Sequence, residues 1–580
     1  MDGYSQAIYA LDSPAGPTSR PNAHAAEVTS VAVWFLPNFL AVVFTVTLLQ
    51  VLFLSAGIPR LFHDSDTGWH VRNGETILSS RSVPRADGFS YTRPGEPWFS
   101  WEWLSDATFG ASHRIAGLSG VALLGAGLIA LTAYGTAHLT LSLGGNLFFT
   151  AAGTVLLLGV TSMHWLARPH LFSWILALVF LSIAERERQN TTRMLWALPV
   201  FAAIWANMHA SFLLGPAILF IYAVGEWIVG SPPQLRRGGA TGTRLARRGG
   251  AGPTNEFIDQ HHPSRGSASA VPSSTEEGNL PSSARFITAS SFSMPSSTRF
   301  LIASLFSLLA TFINPYGRHL HEHIFAYLQN HYLMDHIEEF RSFSFHSAGA
   351  LYVEMFLVVA VLGTVALVRQ RAYGPALLSL AMLHMSLYSA RHIPTAAVLL
   401  LPLSIAAVTR EAKSGPGLKR FFQYSERLRA IDRRIYGIVP IALVLVLASF
   451  GVNALAKTGR AGFDSVTFPV HAAEFLDEIG FHGRQRVFAT DQWGGYLIYR
   501  FGGRLKVFVD GRSDFYGRNL LETYAQVIAV KPGWDGVLNQ YDVRFVLVPP
   551  DGPLAAVLRF QPDWKCVYAD RVSVLYERTR

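Results

Sequence analysis

Residues 63 to 72 read HDSDTGWHVR, a stretch in which Asp64 and Asp66 stand beside histidine, tryptophan and arginine. A partly desolvated carboxylate can act as a general base on a hydroxyl. A D-x-D pair can instead share a divalent cation, Mg²⁺ or Mn²⁺, through hard oxygen ligands. His63, His70 and Asp66 also permit a zinc site, although their spacing matches no recognised pattern. The pair alone is a weak pattern, so its meaning depends on where the chain places it.

The apolar run that precedes this stretch predicts a retained first transmembrane helix. Residues 32–58 carry no charge and exceed the roughly 20 apolar residues that cross a bilayer. Only 15% of the 580 residues are charged, whereas soluble chains carry about a quarter. The net charge of +9 comes from Lys and Arg that cluster in a few loops, which indicates membrane orientation and not a nucleic-acid partner. The one cysteine, Cys566, excludes an internal disulfide.

The pattern predicts a polytopic α-helical membrane protein with about 11 transmembrane helices and a C-terminal soluble α/β domain. The apolar segments lie near residues 32–58, 115–136, 146–164, 170–185, 194–209, 211–230, 298–314, 350–368, 373–389, 393–409 and 436–456. With the N-terminus in the cytoplasm, the arginine-rich connections all fall inside, as the positive-inside rule requires. The predicted organisation is a disordered cytoplasmic tail (1–30), a transmembrane domain (31–457) with a long first outer loop (59–114) and a disordered cytoplasmic loop (231–297), and an extracytoplasmic α/β domain (458–580).

The same orientation gathers the polar motifs on the outer side. These are HDSDTGWH (63–70), ARPH (167–170), NMHAS (207–211), NPYGRH (314–319), HIEEFRS (336–342) and ARHIP (390–394). Ionisable residues close to membrane segments are functional-site hypotheses. We therefore expect one site on this face, with Asp66 as the first catalytic candidate and Asp64 and Glu102 in support.

Three arginines at outer helix ends, Arg168, Arg341 and Arg391, are candidates for binding a phosphate. The alternative is snorkelling to headgroups or a salt bridge with Glu338 or Glu339. The remaining polar residues of this face are candidates for substrate binding: Trp69, His70, His170, His209, Glu338 and His392. The histidines could equally be structural hydrogen-bonding groups at helix ends, and Trp69 could anchor an amphipathic helix at the interface.

The C-terminal domain is predicted to contain four strands and three helices. The strands are RVFAT (486–490), LKVFVDG (505–511), RFVLVPP (544–550) and KCVYAD (565–570), and the helices lie near 471–480, 519–530 and 552–560. Its acids and Arg512 could mark a ligand crevice at strand ends, but a turn network of Asp and Gly is the favoured interpretation.

Several motifs resemble the GT-C class of membrane glycosyltransferases, which includes protein O-mannosyltransferases and oligosaccharyltransferase catalytic subunits. The motifs resemble those of a group of uncharacterised bacterial membrane proteins more closely still. The motifs are DSDTGWH (64–70), VPRADGFSYT (83–92), PWFSWEWL (97–104), ARPHLFS (167–173), WANMHASFLLG (205–215), NPYG (314–317), DQWGGYLIYR (491–500) and VFVDGRSDFYG (507–517). Two departures from the related patterns are Gly68, where the close group often has tryptophan, and PWFSWEW, where many GT-C enzymes have paired prolines.

The resemblance implies an enzyme of the bacterial cytoplasmic membrane. Its donor would be a sugar on a polyprenyl phosphate, and its acceptor a glycan or protein hydroxyl on the outer face. An acid of the first outer loop is the catalytic base in that class, and Asp66 or Asp64 matches its position. The lipid tail would lie between helices, among membrane lipids. The alternatives are a non-catalytic membrane scaffold, a lipid-linked saccharide transporter, or a soluble sensor domain on an inert anchor.

Overall fold

The structure is a computed structural model that describes residues 33–579 apart from Ser55, 231–293, Ser414 and 482–484. The predicted disordered tail at 1–30 and most of the predicted loop at 231–297 lie outside the described residues.

The described part of the chain is mainly helical. The α-helices of the predicted transmembrane region are α1 (Phe39–Phe53), α2 (Ile58–Leu61), α3 (Asp66–Ser80), α4 (Trp103–Ser142), α5 (Leu147–Thr161), α6 (His170–Gln189), α7 (Leu198–Ala206), α8 (Leu214–Gly230), α9 (Ser296–Ala310), α10 (Arg318–Leu328), α11 (His331–His336), α12 (Ala350–Arg369), α13 (Tyr373–Tyr388), α14 (His392–Lys413), α15 (Lys419–Asp432) and α16 (Ile438–Lys457). Short 3₁₀ helices cover Ser162–His164, Arg193–Ala197, Ala210–Leu213, Glu338–Phe340 and Pro416–Leu418.

Each of the eleven predicted apolar segments contains a helix, but their lengths differ. Seven helices of the described residues are long and apolar enough to cross a membrane: Val33–Phe53, Trp103–Ser142, Leu147–His164, Ala210–Gly230, Ala350–Arg369, His392–Lys413 and Ile438–Lys457. Arg193–Ala206 and Ser296–Ala310 are apolar but shorter. The chain is therefore a multi-pass helical membrane protein.

Helix α3 is a core helix, although the sequence also allowed an amphipathic helix lying at the membrane interface. Trp69 is only 5% exposed, so it is not an interfacial anchor. Glycines explain the burial, because Gly74 of α3 packs on the backbone of α4 at Asp106 and Gly110. At the other end of α3, Gly68 meets the backbone of Gly495, where a methyl group would overlap the carbonyl oxygen. A tryptophan at position 68 could not occupy this crossing.

The C-terminal part combines helices with one four-stranded sheet. Its elements are α17 (Val470–Glu478), β1 (Arg486–Ala489), α18 (Asp491–Arg500), α19 (Ser513–Ile528), α20 (Trp534–Gln540), β2 (Val543–Val548), α21 (Pro553–Leu558), β3 (Trp564–Ala569) and β4 (Val574–Arg578). The strand order is β1-β2-β4-β3, with β1 and β2 parallel and the other pairs antiparallel. This confirms the predicted α/β character.

One predicted strand, LKVFVDG at 505–511, is wrong in detail. This segment forms only isolated bridges, at Val507, with Val487 and with Ser90 of the first outer loop. The Val507 amide donates to the Phe89 carbonyl at 3.0 Å, and the Val507 carbonyl accepts from the Tyr91 amide at 3.1 Å. Since the first outer loop satisfies these backbone groups, the segment connects that loop to the C-terminal part.

Candidate active site

Asp64 and Asp66 converge on one guanidinium group. Arg168 Nη1 lies 2.6 Å from Asp64 Oδ2, and Arg168 Nη2 lies 2.9 Å from Asp66 Oδ2. The ARPH segment is held there because the Ala167 amide donates to the Leu61 carbonyl and Thr67 Oγ1 donates to the Ala167 carbonyl. Residues about 100 positions apart thus form one ion-paired cluster.

Asp66 begins helix α3 and is fixed from three sides. Its amide donates to Asp64 Oδ1 at 2.9 Å, and its Oδ1 accepts from Trp69 Nε1 at 3.1 Å. Burial, and next the negative charge of Asp64, raise the pKa of Asp66 to about 7, although Arg168 opposes them. A carboxyl group with that pKa accepts a proton efficiently near neutral pH.

The C-terminal part closes over Asp66 through Gly511. Its Cα packs directly on the Asp66 carboxylate, and a methyl group at Gly511 would overlap the carboxylate oxygens. The next residue, Arg512, is buried and ion-paired with Asp510 at 2.7 Å and with Asp87 of the first outer loop at 2.9 Å. Its guanidinium also lies over the Trp98 ring, 4.7 Å from the centroid. The turn in VFVDGRS is therefore an Asp–Gly turn network, as the sequence predicted, and it also packs directly against Asp66.

A second buried polar group lies beside the first. His70 Nδ1 is 2.6 Å from Asp106 Oδ1, and Asn73 donates to Asp106 Oδ2 at 2.6 Å. Glu102 stands between two imidazoles, 3.9 Å from His70 Nε2 and 3.7 Å from His209 Nε2. Burial, and then the Asp106 carboxyl, raise the pKa of Glu102 to about 8, so this group is largely protonated at neutral pH.

His209 connects Glu102 to a pair of serines. The Ser211 amide donates to His209 Nδ1 at 3.2 Å, so the neutral ring carries its proton on Nε2, which faces Glu102. Ser173 Oγ lies 2.9 Å from the same Nδ1 and accepts from Trp205 Nε1 at 2.8 Å. His209 is held by these contacts as a hydrogen-bonding group.

Arg391 pairs with Glu339, the salt bridge that the sequence left open as an alternative to phosphate binding. The distance between Arg391 Nη1 and Glu339 Oε1 is 2.7 Å, and the Arg391 amide donates to the Glu339 carbonyl at 3.0 Å. Although burial opposes it, the positive charge of Arg391 lowers the pKa of Glu339 to about 2. Glu339 also lies 3.9 Å from His164 Nε2, and His170 Nε2 lies 2.9 Å from the His164 carbonyl.

Three predicted residues stand apart from these contacts. Arg341 and Glu338 are exposed, and His392 is half-buried at the start of α14. Residues 338–340 form a 3₁₀ turn, which directs Glu339 to Arg391 while Glu338 stays exposed. The phosphate-binding and substrate-binding roles of these residues remain predictions.

The donor set does not fit the divalent cation that the sequence allows. The guanidinium of Arg168 lies between the two carboxylates, where a shared cation would have to bind. Across the described ranges, no group of three or more His, Cys, Asp or Glu side chains is arranged to hold a metal ion. The zinc alternative, with His63, His70 and Asp66 as ligands, is likewise not supported in these ranges.

Three positions that matter here had little or no sequence signal. Asp106 follows the PWFSWEWL motif as an ordinary helical acid. Gly511 and Asp87 both lie within motifs, but nothing local shows that one packs on Asp66 and the other binds Arg512.

Comparison with known proteins gives the fold. No family model matches the chain, and no curated protein matches it. The oligosaccharyltransferase of Archaeoglobus fulgidus, solved with a tethered acceptor peptide containing the NVT sequon, is similar with a TM-score of 0.50 at 10% identity, over 96% of this chain and 74% of that chain. ArnT from Cupriavidus metallidurans, bound to undecaprenyl phosphate, gives a TM-score of 0.42 at 12% identity, over 96% of this chain and 98% of that chain.

At 10% identity the first likeness concerns the fold alone. It confirms the predicted fold class: a helical membrane protein with a GT-C-like fold and a C-terminal α/β part. The resemblance to an oligosaccharyltransferase extends over nearly the whole chain.

Proposed function

We propose that the protein is a GT-C glycosyltransferase that moves a sugar from a polyprenyl-phosphate donor to an acceptor hydroxyl on the outer face of the bacterial cytoplasmic membrane. The observation that supports this most is the buried Asp66 carboxyl, paired with Arg168 and with its pKa raised to about 7. A base of this kind at the opening of the first outer loop suits the deprotonation of a hydroxyl.

The proposed reaction is a single inverting displacement. The acceptor oxygen attacks the anomeric carbon while its proton passes to Asp66. The bond between the anomeric carbon and the phosphate oxygen breaks, and the lipid phosphate leaves with the electron pair. Arg168 keeps Asp64 and Asp66 in place, and no step requires a bound metal ion.

The departing phosphate needs positive charge where its negative charge develops. Arg391 is the first candidate, because its side chain is 28% exposed and lies in the same polar cluster as Arg168 and Glu339. Arg341 is exposed and could meet the phosphate from the outer side. Glu102, held between His70 and His209, is suited to hydrogen bonding with substrate hydroxyls in its protonated form.

A scaffold predicts that Asp64 and Asp66 point apart and face no cavity, whereas both carboxylates contact Arg168. A saccharide transporter would carry polar residues near the membrane midplane in both halves of the chain. The polar groups described above lie instead at helix ends and in the first outer loop.

The test replaces Asp66 by Asn. Mass spectrometry of cell-surface glycans and glycoproteins, with and without the gene, first identifies the product. Transfer by the Asp66→Asn variant is then expected to fall by about 100-fold or more, at unchanged abundance in the membrane. Asp551→Asn, at an exposed aspartate of the C-terminal part, is the matched control. Unchanged transfer by Asp66→Asn would overturn the proposal.

A further inference from the structure

A cavity of about 640 Å³ lies between helix α3, the first outer loop and residues 502–506. Its volume is that of a pocket for a small molecule or a few sugar units. Its lining includes Arg72, Glu75 and Trp98, together with Arg114 and Lys506. None of the roles proposed above uses this cavity.

The charges in the cavity do not balance. Glu75 is already neutralised, because Arg72 Nη1 lies 2.6 Å from its Oε2 and His113 Nδ1 lies 2.6 Å from its Oε1. Arg72 is also fixed by two hydrogen bonds to the Tyr499 carbonyl. The partners described for Arg114 and Lys506 are backbone carbonyls, of Glu75 and Gly88 respectively. A carbonyl carries no net charge, so two positive charges remain for an anionic ligand.

The cavity is connected to the reaction centre by two tryptophans. Trp98 lines the cavity and meets Trp69 edge to face, with 6.0 Å between ring centroids. Trp69 in turn donates to Asp66. Arg72 lies six residues after Asp66 on the same helix, which corresponds to about 9 Å along the axis. A ligand in the cavity would therefore bind beside the same helix that carries Asp66, with the two buried indoles between it and the carboxylate.

The lining favours a saccharide over a peptide. One way in which an extended peptide binds is by adding a strand to a free edge. The amide and carbonyl of Val507, next to the lining residue Lys506, are already paired with Phe89 and Tyr91. The neighbouring Gly502 and Gly503 both have positive φ and open space at the Cβ position, which leaves the rim of the cavity bare. Side-chain hydroxyls and an amide, from Thr76, Ser79 and Asn73, supply the polar part of the lining.

We propose that this cavity binds an acceptor glycan that carries carboxylate or phosphate groups, with Arg114 and Lys506 as its anion-binding residues. The inference rests on the proposed glycosyltransferase function and narrows its acceptor to the anionic class. The contacts to the anionic groups are charge-assisted hydrogen bonds, so binding weakens as the ionic strength rises.

Binding of defined probes to the purified full-length protein tests this proposal. The probes are hexagalacturonate, a phosphorylated maltohexaose, neutral maltohexaose and hexaglutamate, compared by calorimetry at low and high salt. One or both anionic saccharides are expected to bind at least about 10-fold more tightly than maltohexaose, and the preferred probe identifies carboxylate or phosphate as the recognised group. Equal affinity for maltohexaose, or tighter binding of hexaglutamate, would overturn the proposal.

Substitutions then locate the site. Lys506→Gln and Arg114→Gln are each expected to weaken binding of the anionic saccharide about fivefold, while Lys506→Arg retains it. Lys565→Gln, at an exposed lysine on β3, is the matched control and should bind as the wild type does. If Lys506→Gln and Arg114→Gln both bind unchanged, the cavity is not the site.

The Asp66→Asn variant separates this inference from the proposed function. It should bind the anionic saccharide with wild-type affinity while transfer is lost. Wild-type binding together with undiminished transfer would refute the catalytic role of Asp66 and leave the binding site standing. If the wild type shows no preference for the anionic saccharides over maltohexaose, the binding site alone is refuted.

Discussion

The Cα atom of Gly511 packs against the carboxylate of Asp66, although 445 residues separate the two in the chain. Helix α3 presents the carboxylate from one side, and the turn at Gly511 covers it from the other. Burial by this turn contributes to the raised pKa of Asp66, so the C-terminal part takes part in setting the chemistry of the first outer loop.

Replacing Gly511 by Ala should abolish most of the transfer activity. The added methyl group overlaps the Asp66 carboxylate, so either the side chain or the turn has to move. We expect a fall of about 100-fold, since misplacement of a reacting group by about 1 Å has that effect. The measurement is the initial rate in membrane vesicles. Gly536→Ala is the control, because its Cβ position is open, and it should keep full activity.

The rate of transfer should depend on the ionisation of Asp66. The base acts in its deprotonated form, so the rate should rise with pH through about 7 and fall below it. Removing the negative charge with Asp64→Asn eliminates one cause of the raised pKa. The acid limb of the pH profile should then move to lower pH. A limb that stays in place or moves upward would show that another group controls the rate.

Loss of Arg168 should destabilise the protein. Arg168→Ala leaves Asp64 and the buried Asp66 without their shared partner, and breaking a buried pair costs about 3 kcal/mol in the free energy of unfolding. Thermal unfolding in detergent measures the change. Arg544→Ala removes the exposed pair with Glu577 and should cost less than about 1 kcal/mol. Comparable shifts for the two variants would mean that the pairing of Arg168 contributes little to stability.

Arg168 should also determine whether Mn²⁺ can bind at the two aspartates. In the wild type its guanidinium occupies the space between them, so electron paramagnetic resonance should detect no stoichiometric Mn²⁺ there. Arg168→Ala frees Asp64 Oδ2 and Asp66 Oδ2 and is expected to bind Mn²⁺, and an additional Asp64→Asn substitution should remove that binding. Stoichiometric Mn²⁺ in the wild type that disappears with Asp64→Asn would contradict this arrangement.

The sequence was sufficient to predict that these motifs meet but not which of their residues pair. The apolar run before HDSDTGWHVR and the distribution of Arg and Lys predicted that distant motifs meet at one membrane face. Arg168, Asp64, Asp66, His70, Glu102 and His209 do lie close together. The partner of each, however, depends on helix crossings set by Gly68 and Gly74, which no local pattern reveals.

Two details that the sequence did not determine have the same physical origin. The segment 505–511 has the composition of a strand, yet the first outer loop satisfies its backbone groups at Val507. Glu338 and Glu339 are equivalent in the sequence, and the 3₁₀ turn at 338–340 decides which one meets Arg391. Both outcomes depend on tertiary contacts between segments that are far apart in the chain.

The Arg512 ion pairs have a consequence for how such chains can change. Asp87 in the first outer loop and Asp510 in the C-terminal part share one buried guanidinium. A recombinant can join the membrane half of one homologue to the C-terminal half of another. It would bury an unpaired charge if its two halves did not supply both Asp87 and Arg512. The two halves are therefore not interchangeable modules, and a functional chimera must carry over the loop containing Asp87 together with the turn containing Arg512.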